Sequence, residues 1–113
     1  MTTLRELART PALVDEIATT LPISAASHQQ ARRYATRAEI EHPINRAPST
    51  IAASAVYLVN LLNNDRYSQG EVATAADVST VAIRECYPEI GRAEGYTVRQ
   101  NSGTNPVPME GKR

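Results

Sequence analysis

Residues 48–62, PSTIAASAVYLVNLL, decide the fold because a helix of this composition is apolar on nearly every side. Proline is favoured at the first position of a helix, so Pro48 predicts where this helix begins. From Ile51 onward no polar stripe is left for solvent, which is typical of a helix at the centre of a helical protein. The sequence Asn-Asn-Asp at 63–65 ends the helix, because these residues bond their own backbone and tolerate turns.

The chain before this central segment predicts two more helices. A short lead-in precedes the first, in which Thr10 and Pro11 form a cap and first-turn pair. Pro22 ends this helix, because the residue before a proline is pushed out of the helical region. The apolar residues of the lead-in and the helix recur close to helical spacing and are Leu4, Leu7, Leu13, Val14, Ile17 and Leu21.

The second helix has a candidate cap in Ser24 or Ser27 and is predicted to run to about Glu41. One face is apolar and contains Ala31, Tyr34, Ala35 and Ala38. The opposite face carries three arginines, Arg32, Arg33 and Arg37. A basic face for DNA or for an acidic partner is one interpretation. A solvated surface balanced by Glu39 and Glu41 is the other, and we favour it.

A short fourth helix is predicted after the central one. Ser68 and Glu71 have the Ser-x-x-Glu spacing of a capping box, so the helix begins there. Residues 77–78, Asp-Val, form a turn after it. The residues predicted to point inward are Val72, Ala73, Ala75 and Ala76.

Ser79 can cap a fifth helix that runs toward Gly91 or Gly95. Pro88 lies inside this segment and should kink or shorten the helix, because it removes a backbone donor and crowds the preceding turn. The residues expected on or near the buried side are Val81, Ile83, Tyr87 and Ile90.

Together the fourth and fifth helices, residues 67–90, have the spacing of a helix-turn-helix. In such a unit the second helix enters the major groove by its N-terminus, which would present Ser79, Thr80, Val81 and Arg84 to base edges. Arg84 could bond a guanine with two parallel hydrogen bonds, and Gln69 could reach a phosphate or an adenine. The structural alternative is that the two short helices only pack together.

Composition limits the classes of function. The formal net charge is zero, which argues against a binder that relies on phosphate neutralisation alone. Hydrophobic residues make up 42% of the chain, yet Phe and Trp are absent, and small side chains suit closely packed helices. No apolar run approaches the length of a membrane span, so we expect a cytoplasmic protein without membrane contact. A monomer is the favoured oligomeric state.

We expect no enzyme, cofactor or metal site. Cys86 cannot form an intramolecular disulfide and lacks a neighbouring base, so a buried apolar role is expected. His28 and His42 have no spacing that supports a zinc site. Residues 1–99 are predicted to form one domain. Residues 100–113 are polar and rich in Gly and Pro, and are predicted to be a disordered tail.

Two stretches of this sequence resemble a known family. Residues 46–58, RAPSTIAASAVYL, look like the third-helix signature of the cyclin-like repeat in transcription factor IIB and archaeal transcription factor B. Residues 67–90, YSQGEVATAADVSTVAIRECYPEI, are similar to the end of the second such repeat. The resemblance extends from about Leu13 to Tyr96 and implies a five-helix, cyclin-like fold.

The resemblance also implies a function and a partner. Gln69, Ser79, Thr80, Val81 and Arg84 match positions that in the family face the promoter element upstream of the TATA box. In the family the repeats clasp the TATA-binding protein on its bent DNA. An interaction module that binds a protein beside its central helix, without DNA, is the alternative.

Some positions depart from the family pattern. The chain lacks a Cys-x-x-Cys zinc ribbon. Asn45 stands where the family prefers Gly, and Val59 and Asn60 replace small residues. Glu85-Cys86, with Pro88, replaces a more basic stretch, which reduces the attraction to phosphate.

Overall fold

The computed structural model describes residues 9–63, 67–97 and 107–108 of the 113 residues. Within these ranges five α-helices follow one another: α1 (Thr10–Thr20), α2 (Ala25–Thr36), α3 (Pro48–Leu62), α4 (Gln69–Ala76) and α5 (Thr80–Ala93). A π-helical turn, Arg37–Glu41, extends α2 to the predicted end. Two short strands, β1 (Tyr96–Thr97) and β2 (Val107–Pro108), pair antiparallel. The predicted all-α fold of five helices is confirmed.

The central helix is α3. Every residue from Ile51 to Leu61 is buried, and α3 packs against α1, α2, α4 and α5. Two large rings meet in this core: Tyr57 on α3 and Tyr87 on α5 lie 5.0 Å apart between ring centroids in an edge-to-face arrangement. The prediction that residues 48–62 form the centre of the protein is confirmed, and the helix-turn-helix is built on this rigid support.

The starts of α1 and α2 are capped in different ways. On α2 the cap is Ser24, whose hydroxyl accepts a hydrogen bond from the backbone N–H of Ser27 at 3.1 Å. On α1 the prediction that Thr10 is the cap is wrong, because Thr10 is the first helical residue. The acceptor for its backbone N–H is instead the carboxylate of Glu39, at 2.9 Å, which also receives its hydroxyl at 2.7 Å.

Several predictions for individual residues need correction. Pro88 does not shorten α5, which continues to Ala93 with the proline buried inside it. The residues predicted to point inward but only partly buried are Tyr34, Ala75 and Ala76. Val81, expected on or near the buried side of α5, is 46% exposed.

The ends of the chain lie mostly beyond the described ranges. Leu4 and Leu7 of the predicted lead-in lie outside them, as does most of the tail predicted to be disordered. Within that tail, Val107 pairs with Thr97 and Pro108 with Tyr96. Across the described ranges no helix combines the length and the apolar character that crossing a membrane requires.

Candidate nucleic-acid interface

Helix α4 begins with the predicted capping box. The hydroxyl of Ser68 accepts a hydrogen bond from the backbone N–H of Glu71 at 3.1 Å, and the Glu71 carboxylate accepts one from the backbone N–H of Ser68 at 2.9 Å. Two backbone donors that lack partners within the helix are thereby satisfied. The predicted site residue Gln69 follows directly as the first residue of α4 and is partly buried.

A tight turn separates the two helices of the unit. Asp77 adopts a left-handed conformation, with φ 56° and ψ 48°, which a short Asp side chain tolerates better than most. The backbone N–H of Val78 then bonds the carbonyl of Ala73 at 3.0 Å, which closes the end of α4. Ser79 caps α5 by accepting the backbone N–H of Ala82 at 3.0 Å. The turn and both caps are those predicted.

Helix α5 has a buried side and an exposed side. The buried stripe follows helical spacing and consists of Ile83, Cys86, Tyr87 and Ile90. Val81 precedes Ile83 by two residues, a rotation of about 200° around the helix, and therefore faces away from the core. Among the described residues it is the one exposed large hydrophobic side chain.

The predicted reading residues are gathered at the start of α5. Ser79, Thr80 and Val81 are exposed, and Arg84 is partly exposed one turn further along. Within the described ranges Arg84 forms no hydrogen bond or ion pair, so its guanidinium keeps its donors. The hydroxyl of Ser79 already serves as a cap acceptor, which leaves its own proton to donate.

A residue that the sequence did not single out fixes the entry to the unit. Asn60 on α3 is buried; its side-chain amide donates to the backbone carbonyl of Tyr67 at 2.6 Å and accepts the backbone N–H of Tyr67 at 3.1 Å. The side chain of Asn60 therefore pairs both the backbone N–H and the backbone carbonyl of Tyr67. This contact anchors the residue before Ser68 to the central helix. Its departure from the family's small residue was the only signal in the sequence.

An ion-pair cluster lies on the outer face of α5. Arg46, from the loop before α3, contacts Glu89 at 2.6 Å and lies 3.8 Å from Glu85. The side chain of Glu85 is 51% exposed, against 37% for Glu89. The negative charge of Glu85, which the sequence placed near the predicted reading residues, is thus partly offset by a basic residue from another element.

The three arginines of α2 and of the π-helical turn that extends it differ in their partners. Arg32 pairs with Asp15 of α1, and the Nε of Arg37 donates to Glu94 at 2.9 Å. Arg33 is exposed and makes no ion pair within the described residues. Two of the three charges are therefore offset. Of the two carboxylates expected to balance this face, Glu41 lies 3.7 Å from Arg37, whereas Glu39 serves as the acceptor for the start of α1.

The cysteine and the histidines occupy separate places. Cys86 is fully buried, as predicted, and burial raises the pKa of its thiol, which disfavours the reactive thiolate. His28 bonds Asp15 at 2.6 Å, and His42 is exposed after the π-helical turn. In the part of the chain that the structure describes, no three of His, Cys, Asp and Glu form a group that could hold a metal ion.

Comparison with known proteins places this geometry in a family. Residues 3–93 match the family model of the transcription factor TFIIB repeat. Transcription initiation factor IIB 2 of Haloferax volcanii is 38% identical over 86 residues, which is 75% of this chain and 26% of that protein. Transcription initiation factor IIB 2 of Thermococcus kodakarensis is 32% identical over 87 residues, 75% of this chain and 28% of that protein.

A third relative matches a shorter stretch of the chain at a higher identity. Transcription initiation factor IIB of Methanothrix thermoacetophila is 45% identical over 53 residues, which is 47% of this chain and 16% of that protein. The chain thus matches between 16% and 28% of the length of these relatives. The family match over residues 3–93 confirms the resemblance noted from the two motifs, and the chain belongs to the transcription factor TFIIB repeat family.

Proposed function

We infer that this domain binds promoter DNA with its helix-turn-helix, α5 lying in the major groove, in a role like that of a transcription initiation factor. The observation that carries the proposal is the exposed start of α5. There an apolar side chain, Val81, and an arginine without an ion pair in the described residues, Arg84, stand on one side of a capped helix. An exposed apolar side chain contributes nothing to the core, whereas it can contact a thymine methyl group.

The residues have separate proposed roles. Arg84 donates two hydrogen bonds to a guanine edge, and Val81 makes the apolar contact. Thr80 and Ser79 donate from their hydroxyls to the backbone or to bases near the helix start, and Gln69 contacts a phosphate from the start of α4. On the α2 face we propose a phosphate contact for Arg33 alone, since Arg32 and Arg37 are held by carboxylates.

A neutral chain gains little from phosphate attraction, so a partner on the same DNA would raise its effective affinity. We propose that this partner is the TATA-binding protein, as the family resemblance implies. The experiment is fluorescence anisotropy of the domain with an archaeal-type promoter duplex and a scrambled duplex, at several salt concentrations, with and without that protein. Preference for the promoter supports the proposal. Equal binding of the two duplexes, or none at low salt with the partner present, contradicts it.

A second candidate function is a protein-interaction module. It is favoured by an open groove of about 520 Å³ between the end of α1 and the outer side of α4. The groove is lined by Thr20, Leu21, Ser68, Gly70, Glu71, Thr74 and Ala75. The partner was expected to bind beside the central helix; α3 itself offers little surface for it, because α3 is buried from Ile51 to Leu61.

One substitution should affect the two candidate functions differently. Thr74→Tyr places a large uncharged side chain at this groove, on the outer side of α4, and should abolish binding of a protein partner. It should leave DNA binding by α5 intact. A pull-down and the anisotropy assay on the same preparation separate them: a captured partner that the variant loses, with no DNA binding by the parent chain, favours the module.

A further inference from the structure

One exposed residue of α5 is not explained by the roles proposed so far. Glu85 follows Arg84 and stands four residues after Val81, so the three share one stripe of the helix at the spacing i, i+3 and i+4. Its side chain is 51% exposed, comparable with the 46% of Val81. A carboxylate therefore lies on the same surface as the two proposed reading residues.

The surroundings leave this carboxylate available. Arg46 makes its close contact with Glu89, at 2.6 Å, and stands 3.8 Å from Glu85, beyond hydrogen-bond distance. The guanidinium therefore offsets part of the negative charge of Glu85 without occupying its oxygens. That arrangement reduces the repulsion a carboxylate meets between two phosphate backbones. Within the described residues, no hydrogen bond holds Glu85.

A carboxylate has only acceptors, so in the major groove it suits a base that presents an amino donor. Cytosine presents its N4 amino group as a donor there, whereas thymine presents the O4 acceptor, and guanine the O6 and N7 acceptors. Adenine also presents an amino donor, at N6, but beside its N7 acceptor, so cytosine is the better partner. A Glu on the reading stripe therefore raises affinity for a site with cytosine at this place and lowers affinity for one with thymine or guanine there.

We propose that Glu85 is a specificity-determining residue that accepts a hydrogen bond from a cytosine N4 amino group, in a base pair adjacent to the one contacted by Arg84. The inference rests on the proposed DNA binding by α5. The site read by this domain then contains a cytosine next to the guanine bound by Arg84. Glu85 thus weakens the attraction to all DNA and increases the difference in affinity between cytosine and the other bases.

The test is a panel of duplexes with every single base-pair substitution across the bound site, measured by anisotropy for the intact chain and for Glu85→Ala, Glu85→Gln and Glu16→Gln. For the intact chain, replacing the cytosine by thymine should weaken binding about fivefold or more. Glu85→Ala should reduce this preference to less than about twofold, while raising affinity for unrelated duplexes. Glu85→Gln, which can both donate and accept, should also bind adenine there.

The control and the contrary outcomes are distinct. Glu16→Gln removes the same charge from α1, on another element, and should leave the cytosine preference unchanged. If Glu85→Ala raises affinity for every duplex by one factor and keeps the base preference, Glu85 is only a charge and the inference is wrong, while DNA binding by α5 stands. If the intact chain shows no base preference at any position, both proposals fail.

Discussion

At the scale of single residues, Ser79 combines an observed role with a proposed one. Its hydroxyl accepts the backbone N–H of Ala82 at 3.0 Å and so begins α5, and its exposed position is also a proposed DNA contact. The cap role belongs to the folded domain itself, whereas the contact role appears only with DNA. Variants of this one residue can separate the two.

We predict that Ser79→Ala lowers the free energy of unfolding by about 1 kcal/mol, because the helix start loses its acceptor. Ser79→Gly should cost only a few tenths of that, since glycine is itself a tolerated cap residue. Urea unfolding followed by circular dichroism measures both. Equal stability of the alanine variant and the parent chain would show that the cap contributes nothing, and equal DNA affinity of the glycine variant would remove Ser79 from the contact surface.

At the scale of elements, contacts between distant segments fix the helices that the local sequence begins. Glu39 of the π-helical turn holds the start of α1, and Asn60 of α3 holds the residue before α4. Both contacts pair backbone groups that have no partner within their own element. Such contacts decide how an element is oriented, which caps and periodicity do not.

For Glu39 a dependence on pH follows. Burial alone would raise the pKa of its carboxyl, but hydrogen bonds from Thr10 and Arg9 outweigh burial and hold the pKa below its ordinary value of 4.5. A carboxyl with a lowered pKa in the folded state stabilises the fold fully above its unfolded value and loses that contribution as the pH falls through the folded value. Stability should therefore decline below about pH 4.5.

The variant Glu39→Gln should be less stable than the parent at pH 7 by about 1 kcal/mol and should lose less stability on acidification. Denaturation curves at several pH values measure this difference. Asp15, whose pKa is also lowered despite burial by hydrogen bonds from Arg32 and His28, contributes in the same direction. Glu16→Gln, which removes an exposed carboxyl of α1, is the control and should follow the parent, and parallel curves for Glu39→Gln and the parent would contradict the assignment to Glu39.

For Asn60 we predict an effect on function at a distance from DNA. Asn60→Ala leaves the backbone N–H and carbonyl of Tyr67 without their partner and should cost about 1–3 kcal/mol of stability. Because Tyr67 leads into the capping box, DNA binding should also weaken at a temperature where the variant is still folded. Asn63→Ala is the control, because the side-chain amide of Asn63 donates to Ser27 and Gln30 of α2 and not to the residues that lead into α4. Unchanged DNA affinity of a folded Asn60→Ala would mean that the anchor does not position the helix-turn-helix.

At the scale of the whole molecule, the features that the sequence predicts depend on residues close together in the chain, whereas those that it does not predict depend on residues far apart. The central helix, the capping box at Ser68 and Glu71, and the cap at Ser79 depend on neighbours within a few residues, so the sequence predicts them. The exposure of Val81 follows from its phase relative to Ile83, which a general assignment of apolar residues to the core overlooked.

The remaining features depend on residues brought together by folding. The Arg37–Glu94 bond joins residues 57 apart and the Arg46–Glu89 bond residues 43 apart. No local pattern marks such pairs, because many combinations of charged residues would be equally suitable. For the same reason the sequence suggested three equivalent arginines on α2, whereas two of them are paired with carboxylates of other elements.

The central claim is that the start of α5 reads promoter DNA, and the direct measurement is the promoter affinity of Arg84→Ala beside that of Arg92→Ala. Arg92 is an exposed arginine in the last turn of the same helix, so its removal changes the charge equally, away from the reading surface. We predict that Arg84→Ala, with an unchanged thermal midpoint, loses promoter preference and binds at least about tenfold more weakly, whereas Arg92→Ala loses about twofold or less. Equal losses in the two variants, or retained promoter preference in Arg84→Ala, would contradict the claim.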